Sequence, residues 1–315
     1  MFPHFVPALL LSCLAAQDPK PEPLPPGAVV RMGSAATKST GYHGNTEGVS
    51  FTADGKTLAS LSGAVRLWDL ASGQETLVLD TGGQTPVYSL AISPDGKRIA
   101  WGDYQKGIVI RDLTTGKDPR ILTTAADPFS SNYASLLSFS RDGSVLLSAM
   151  GDKKIVLWDV ASGKPVKELH HHGVRFVGWS ADEKILVSGG YQDKSVRVWD
   201  VASGKELFQL DGEGEVAISP DGRRIAYSGT DRKPWMWEID PNKDPQPLPW
   251  KGRFVGSLAF SPDSRTLAVS GDGGLVLCDA AEGKQASEFK ADTHRVLRFS
   301  PDGKTLAYGK YMGVG

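Results

Sequence analysis

Short runs of alternating hydrophobic and polar residues, separated by polar turns, fill the chain from about residue 44 onwards. Val87–Ile92 is one such run; it ends at a turn, and a second run begins at Arg98. Alternation with a period of two is typical of β-strands, because successive side chains point to opposite faces. The pattern predicts antiparallel strands joined in hairpins.

One turn recurs along the chain in the form Ser-Pro-Asp-Gly-Lys, with small variations. Proline presets the first φ angle of such a turn, aspartate bonds its own backbone, and glycine supplies a positive φ. The spacings between the seven turn aspartates are 41, 47, 40, 39, 42 and 39 residues. These aspartates are Asp54, Asp95, Asp142, Asp182, Asp221, Asp263 and Asp302. The regular period predicts seven copies of one structural unit.

Each unit carries two further marks. A strand ending in Trp-Asp or a similar pair follows the turn, and a glycine hairpin such as the one at Gly163 leads to a last strand. Four strands per unit, a period of about 40 residues and the Trp-Asp pair resemble the WD40-repeat family. The resemblance extends from roughly Gly48 to the C-terminus. It implies an all-β, seven-bladed β-propeller of four-stranded antiparallel blades.

The chain departs from the family pattern in its polar positions. The resemblance implies a hydrogen-bonded brace of His, Asp, Ser or Thr, and Trp in each blade. The family's Gly-His pair is almost absent here, and His172 is one of its two nearest relics. Most blades are therefore expected to depend on apolar packing. The residues that the resemblance places in the core are Trp68, Trp158, Trp199 and Trp237, with Cys278 as a buried, inert thiol in place of a fifth tryptophan.

The seventh unit is incomplete, because few residues follow Tyr308. We predict that Ala28–Met32 supplies the outer strand of the last blade and closes the ring. The third strand is then residues 311–314, or is lacking. Alternatively, the chain is the truncated product of a longer gene.

The N-terminal segment predicts export. Residues 1–16 contain an apolar stretch that is too short to span a bilayer and suits a signal peptide cleaved near Ala16. Residues 10–13 also resemble a lipoprotein box, which would place a lipid anchor on Cys13. Residues 17–28 form a proline-rich linker, and residues 29–315 form the propeller. Because residues 24–28 resemble a lead-in of secreted WD40 proteins from planctomycete-type bacteria, we expect a secreted or periplasmic protein, with the lipid-anchored form as the alternative.

Composition and motifs argue against several classes of function. The formal charge is −1 and basic residues form no run beyond pairs, so we do not expect a nucleic-acid partner. The two cysteines exclude a disulfide framework. Signatures of catalytic serine, zinc-protease and phosphate-loop sites are missing. His170, His171 and His172 cannot share one ion in an extended backbone, and residues 271–274 hold too few oxygens for calcium.

The resemblance places candidate binding residues on one rim of the propeller, in loops between the second and third strands and between blades. We predict a non-enzymatic, monomeric scaffold without a cofactor, which binds a protein or peptide outside the cytoplasm. Two alternatives are a propeller enzyme or sugar- or metal-binding protein that uses the central channel, and a fragment of a larger sensor. The candidate rim residues are Tyr104, Lys153, His172, Arg175, Tyr191, Trp235, Arg253 and His294.

Overall fold

The computed structural model describes residues 8–11, 28–32, 48–61, 64–79, 87–103, 106–115, 119–122, 134–150, 153–289 and 294–310. Every regular element in these ranges is a β-strand. The first ten strands are β1 (Ala8–Leu11), β2 (Ala28–Met32), β3 (Gly48–Phe51), β4 (Thr57–Leu61), β5 (Val65–Asp69), β6 (Glu75–Leu79), β7 (Val87–Ile92), β8 (Arg98–Asp103), β9 (Gly107–Asp112) and β10 (Arg120–Leu122).

The second half of the chain continues the pattern. Its strands are β11 (Ala134–Phe139), β12 (Val145–Met150), β13 (Lys154–Asp159), β14 (Lys164–His170), β15 (Val174–Trp179), β16 (Ile185–Gly190), β17 (Ser195–Asp200), β18 (Glu206–Asp211), β19 (Val216–Ile218), β20 (Arg224–Ser228), β21 (Pro234–Glu238), β22 (Gln246–Pro247), β23 (Val255–Phe260), β24 (Thr266–Gly271), β25 (Gly274–Asp279), β26 (Gln285–Phe289), β27 (His294–Phe299) and β28 (Leu306–Lys310). Among the described residues, no helix is long and apolar enough to cross a membrane.

Six sheets are complete blades, each made of four consecutive antiparallel strands. Blade 1 is β3 to β6, blade 2 is β7 to β10, and so on to blade 6, which is β23 to β26. The first strand of each blade is its inner strand. This confirms the predicted all-β propeller, with inner strands packed against the inner strands of neighbouring blades.

The structure has six complete blades rather than seven, and the seventh unit is incomplete, as predicted. Only β27 and β28 of the seventh sheet come from the seventh unit, and its strand order is β2-β1-β28-β27. The outer strand is Ala28–Met32, as expected, but Ala8–Leu11 takes the third position and pairs in parallel with both neighbours. The predicted third strand, residues 311–314, lies outside the described residues. A unit with only two strands of its own has to borrow the others from the distant N-terminal part of the chain.

The recurring turns connect neighbouring blades at one end of the ring. Ala53 N donates to Pro94 O (3.2 Å), and Ala181 N donates to Pro220 O (2.9 Å) in the same way. A Cβ atom built on Gly55 would lie 3.5 Å from Cδ of Pro301, so the turn of the seventh unit packs on the turn of blade 1. The ring therefore closes although the seventh unit supplies only two strands of its sheet.

A β-bulge recurs between the third and outer strands of several blades. The pairing of the third and outer strands shifts register beside Trp68, Trp158, Trp199 and Cys278. Such a β-bulge twists an edge strand and discourages further strand pairing. The bulges thus blunt the outer edges of blades 1, 3, 4 and 6.

Candidate functional site

Blade 4 contains a hydrogen-bonded polar cluster, the brace, beneath the rim. Trp199 Nε1 donates to Ser188 Oγ (2.8 Å), and this hydroxyl lies 2.7 Å from His171 Nδ1. His171 Nε2 lies 3.3 Å from Asp193 Oδ1 and 3.1 Å from Ser195 Oγ. A neutral imidazole with its proton on Nε2 satisfies all of these contacts. The brace ties two strands of the blade, β16 and β17, to the loop that enters it.

The order Ser188, His171, Asp193 resembles the triad of a nucleophilic hydrolase, but solvent access excludes that chemistry. Ser188 is 0% exposed and its oxygen already accepts a bond from Trp199. A nucleophile has to reach a substrate carbonyl, and this hydroxyl has no path to one. The brace is therefore structural.

The structure corrects the assignment of the family histidine. His171 occupies the brace, whereas His172 is exposed. His171 N donates to Lys153 O (3.1 Å), which continues the pairing beyond β14 and directs this residue inwards. Gly173 then turns the chain at a φ of 69°. The local backbone, which the sequence motif alone does not specify, decides which of two adjacent histidines is buried.

We expect the brace to make stability dependent on pH. Burial lowers the pKa of His171 below the usual 6.5, so the unfolded chain binds a proton that the folded chain refuses. This contribution to stability is complete above pH 6.5 and is lost as the pH falls below it. Urea midpoints measured from pH 7 to 5 should fall more steeply for the wild type than for His171→Gln. His172→Gln, the control, should keep the wild-type slope, and parallel slopes for all three proteins would contradict the assignment.

Other blades keep only part of the brace. Trp68 Nε1 donates to Ser60 Oγ and Trp158 Nε1 to Ser148 Oγ, both at 2.8 Å. Trp237 Nε1 instead donates to the Lys243 carbonyl (2.7 Å). The predicted dependence on apolar packing is consistent with these partial sets. Cys278 is buried, and burial raises the pKa of its thiol to about 11, as expected of an inert residue.

The rim is the end of the ring opposite the recurring turns. Because four antiparallel strands alternate in direction, the loops between second and third strands meet the connections between blades at this end. Tyr191 N, for example, donates to Gly173 O (2.9 Å) across these two kinds of loop.

Two aspartate side chains accept hydrogen bonds from groups of the rim loops. Asp272 Oδ1 accepts from the backbone N–H groups of Arg253 (2.7 Å) and Phe254 (3.0 Å). Asp231 Oδ1 accepts from Lys233 N (3.0 Å) and Trp235 Nε1 (3.1 Å). The Asp231 carboxylate is thus engaged within its own hairpin and the Asp272 carboxylate by the connection that enters blade 6, so residues 271–274 are not arranged as a calcium site. Within the described residues, no group of three or more potential ligands could hold a metal ion.

Blades 4 and 5 share an ionic bridge on the rim. Glu213, largely buried, lies between Lys194 Nζ (3.7 Å) and Arg232 Nε (3.6 Å), whose side chains are 63% and 64% exposed. Lys194 and Arg232 both adopt positive φ values, 50° and 63°, which are unfavourable for residues with a Cβ atom. The sequence places the loops that hold Lys194 and Arg232 on the rim but does not single out these two residues, because their partner acid lies in a different loop.

The structure brings several predicted rim residues to this surface. Tyr191 is 51% exposed, the Arg253 side chain is 93% exposed, and Lys153 and His172 are also exposed. Trp235 is half-buried and bound to Asp231, so only part of its ring is accessible. Phe254, which was not predicted, is exposed beside Arg253.

The side chains of three predicted rim residues lie outside the described part of the structure. Tyr104 lies outside the described residues. Arg175 and His294 lie on strands β15 and β27, but their side chains lie outside what the structure describes.

One protein family matches three segments of the chain. The family described as "WD domain, G-beta repeat" matches residues 131–159, 163–200 and 249–279. These segments cover most of blade 3, the outer strand of blade 3 with three strands of blade 4, and three strands of blade 6. All three matched segments lie within complete four-stranded blades.

Similar proteins are eukaryotic. Pre-mRNA-processing factor 17 of Mus musculus is 26% identical over 277 residues, which cover 79% of this chain and 46% of the relative. Its Homo sapiens counterpart matches equally. Meiotic recombination protein rec14 of Schizosaccharomyces pombe is 29% identical over 190 residues, 56% of this chain and 63% of the relative. The chain spans about half the length of the processing factor and under two thirds of rec14.

These relatives give no support to the predicted bacterial, planctomycete-type origin. The matched repeats, the relatives and the ring of four-stranded sheets together support the placement of this chain in the WD40-repeat family of β-propellers.

Proposed function

We propose that this protein is a non-catalytic scaffold that binds an acidic protein segment on the rim of blades 4 to 6. The observation that carries the proposal is the separation of charge on this surface. Asp193, Glu213 and Asp272 are recessed and bonded to the loops, whereas Lys194, Arg232 and Arg253 extend into solvent. A partner therefore meets the cations first.

Two aromatic side chains flank these cations. Tyr191 on blade 4 and Phe254 at the entry to blade 6 are exposed, whereas the other large exposed apolar residues of the described chain lie on outer strands. Exposed aromatics and arginines are the residue types that contribute most to protein–protein affinity. The surface thus fits a segment with carboxylates between apolar side chains, and its charges would speed association and fix orientation.

The absence of catalysis is part of the proposal. The one cluster of Ser, His and Asp found in the described residues is buried and structural. The relatives are named as a pre-mRNA-processing factor and a meiotic recombination protein, and neither name denotes an enzyme. A ring of rigid strands with variable loops suits recognition of another protein.

Peptide selection tests the proposed surface. A display library of random peptides, selected on the purified chain, should yield acidic sequences with aromatic or aliphatic flanks. Arg253→Ala and Tyr191→Ala should each weaken the selected peptides by about tenfold, as expected for exposed hot-spot residues. Raised salt should weaken binding as well, because the cations are exposed.

Matched controls are available on other surfaces. Arg223 is an exposed arginine on the opposite end of the ring, and Val166 is an exposed apolar residue on an outer strand. Arg223→Ala and Val166→Ala should leave affinity unchanged. Selection of basic peptides, equal losses in control and rim variants, or equally tight binding of duplex DNA would contradict the proposal.

Export and a monomeric state complete the proposed function. The apolar segment in residues 5–16 supports export, and the outer-strand bulges support a monomer. Sequencing the N-terminus of the protein purified from its native host tests the first point: a start after Ala16 or a lipidated Cys13 supports export. Retention of Met1 contradicts it and is compatible with Ala8–Leu11 remaining beside β28.

A further inference from the structure

The seventh sheet differs from the six complete blades at its third position. In the complete blades this position holds a strand of the same unit, which is five or six residues long and antiparallel to its neighbours. In the seventh sheet it holds β1, Ala8–Leu11, which comes from the other end of the chain and pairs in parallel with both β28 and β2. The position is thus occupied by a segment that the repeat does not encode.

The pairing of β1 is short and partly irregular. Ala8 to Leu11 face Leu306 to Gly309 of β28 residue by residue, but the register with β2 shifts between Ala8 and Leu10. Parallel pairs are slightly less stable per residue than antiparallel pairs, and no tight hairpin can join them. Because β1 can leave the sheet without opening a hairpin, it can be exchanged more readily than the third strand of a complete blade.

The complete blades show what kind of strand the third position takes. This strand lies between two strands of its own sheet, and the neighbouring blades cover both of its faces. Ile155–Trp158 of blade 3 and Leu275–Cys278 of blade 6 are runs of four apolar residues, each at most 8% exposed. By sequence, β1 has the same character, Ala-Leu-Leu-Leu. The position therefore takes an extended run of apolar residues, as strands buried on both faces do.

A basic residue inside this run needs an acid on the outer strand. Arg66 in blade 1 pairs with Glu75 (2.6 Å), and Arg197 in blade 4 pairs with Glu206 (3.1 Å). Both acids lie on the outer strand of the same blade. The outer strand of the seventh sheet, Ala28–Met32, contains no acidic residue. A lysine or arginine in the third position of this sheet would therefore find no carboxylate on β2.

Departure of β1 leaves strand edges that another strand can use. On β28, the main chain would then be paired only with β27, and β2 would lose the strand that joins it to the sheet. Leu306 and Ala307 of β28 are 2% and 0% exposed with β1 in place. Unpaired backbone groups beside an apolar surface are a template for strand addition. The open position therefore favours a new strand.

We propose that the third position of the seventh sheet is a strand-binding site, which accepts an extended apolar segment of a partner protein when Ala8–Leu11 leaves it. The main chain of the incoming strand supplies affinity by pairing with β28, and its apolar side chains supply specificity. The site is separate from the rim of blades 4 to 6. It rests on the proposed function only for the removal of Ala8–Leu11, which cleavage after Ala16 during export would bring about.

Peptide binding to the full chain tests the site. The probe is a fluorescein-labelled peptide, Ala-Leu-Leu-Leu between paired lysines, which the exposed cations of the rim repel. Leu10→Pro opens the position, because proline lacks the N–H group that a central strand needs. Fluorescence anisotropy should show at least about tenfold tighter binding to Leu10→Pro than to the wild type, in which Ala8–Leu11 competes from within the chain. Leu10→Val keeps the N–H group and should behave as the wild type does.

Two altered peptides separate strand pairing from general hydrophobic attraction. N-methylation of the third residue removes a main-chain donor, and lysine as the second residue places a charge inside the apolar run. Each change should weaken binding to Leu10→Pro by about tenfold or more. If Leu10→Pro does not fold alone, the unmodified peptide added during refolding should restore soluble protein and the N-methylated peptide should not. Equal failure of both peptides would contradict the proposal.

Three further results would overturn the proposal: no binding of the peptide to folded Leu10→Pro, equally tight binding to the wild type, and equal affinity for the N-methylated peptide. A wild-type chain that is a dimer in light scattering, beside a monomeric Leu10→Pro, would assign the position to Ala8–Leu11 of a second copy and would also overturn it. All of these measurements use the uncleaved chain. A failure of export, seen as retention of Met1, is thus distinguished from a failure of strand binding.

Discussion

Trp158→Ala is expected to lower the free energy of unfolding by about 3–5 kcal/mol, the usual range for a fully buried tryptophan. Trp158 is 0% exposed and packs at the interface of blades 2 and 3 with Ile108 and Leu122. Its Nε1 atom also donates to Ser148, whose oxygen would lose a buried partner. Equilibrium unfolding in urea, followed by circular dichroism, gives the change.

Two further variants test whether the burial of Trp158 between blades causes this loss of stability. Trp158→Phe keeps an aromatic ring and loses the bond to Ser148, so its loss should be smaller, about 1–3 kcal/mol. Leu207→Ala removes an exposed apolar side chain from the outer strand of blade 4 and should change stability by less than about 0.5 kcal/mol. If Leu207→Ala were as damaging as Trp158→Ala, the burial of Trp158 between blades would be refuted.

Gly190→Ala is expected to cost about 2–4 kcal/mol, because the added methyl group enters the brace of blade 4. A Cβ at this position would lie 2.5 Å from His171 Nε2 and 2.9 Å from the His172 carbonyl oxygen, and closer still to Asp193 Oδ1. The flanking backbone cannot move freely, so the hydrogen bonds of His171 have to break. Their buried partners would then be unsatisfied.

Gly178→Ala is the matched control within the same blade. Its nearest heavy atom, Ile218 Cγ2, would lie 3.5 Å from the new Cβ, which is ordinary van der Waals contact. This variant should change stability by less than about 1 kcal/mol, with a gain from the reduced freedom of the unfolded chain. We expect the imidazole proton of His171 to exchange slowly enough for detection by NMR in the wild type and in Gly178→Ala, and to be lost in Gly190→Ala. Equal denaturation midpoints would show that the brace does not hold the blade.

Local signals predicted most of the strands correctly. The hydrogen bonds of the turn around Asp95 join residues that are close together in the chain. Ser93 Oγ donates to Asp95 Oδ1 (2.6 Å), and that oxygen accepts from Lys97 N (3.0 Å). Because the seven copies repeat this local geometry, the period and the hairpins were readable without the fold. The burial of Trp68, Trp158, Trp199, Trp237 and Cys278 was likewise predicted correctly from the resemblance.

Contacts between distant parts of the chain were not readable in this way. The predicted rim residues included Tyr191 and Arg253 but missed Lys194 and Arg232, whose positions depend on Glu213 in another loop.

The sequence by itself determined the unit: four strands, two kinds of tight turn and an apolar core between sheets, all encoded within about 40 residues. Only the tertiary structure decided that Ala8–Leu11 takes the third position of the seventh sheet and that His171 and not His172 enters the brace. The physical reason is the range of the interactions. Turn hydrogen bonds and strand alternation act between near neighbours, whereas closure of the ring and burial of one histidine depend on segments that are distant in the chain.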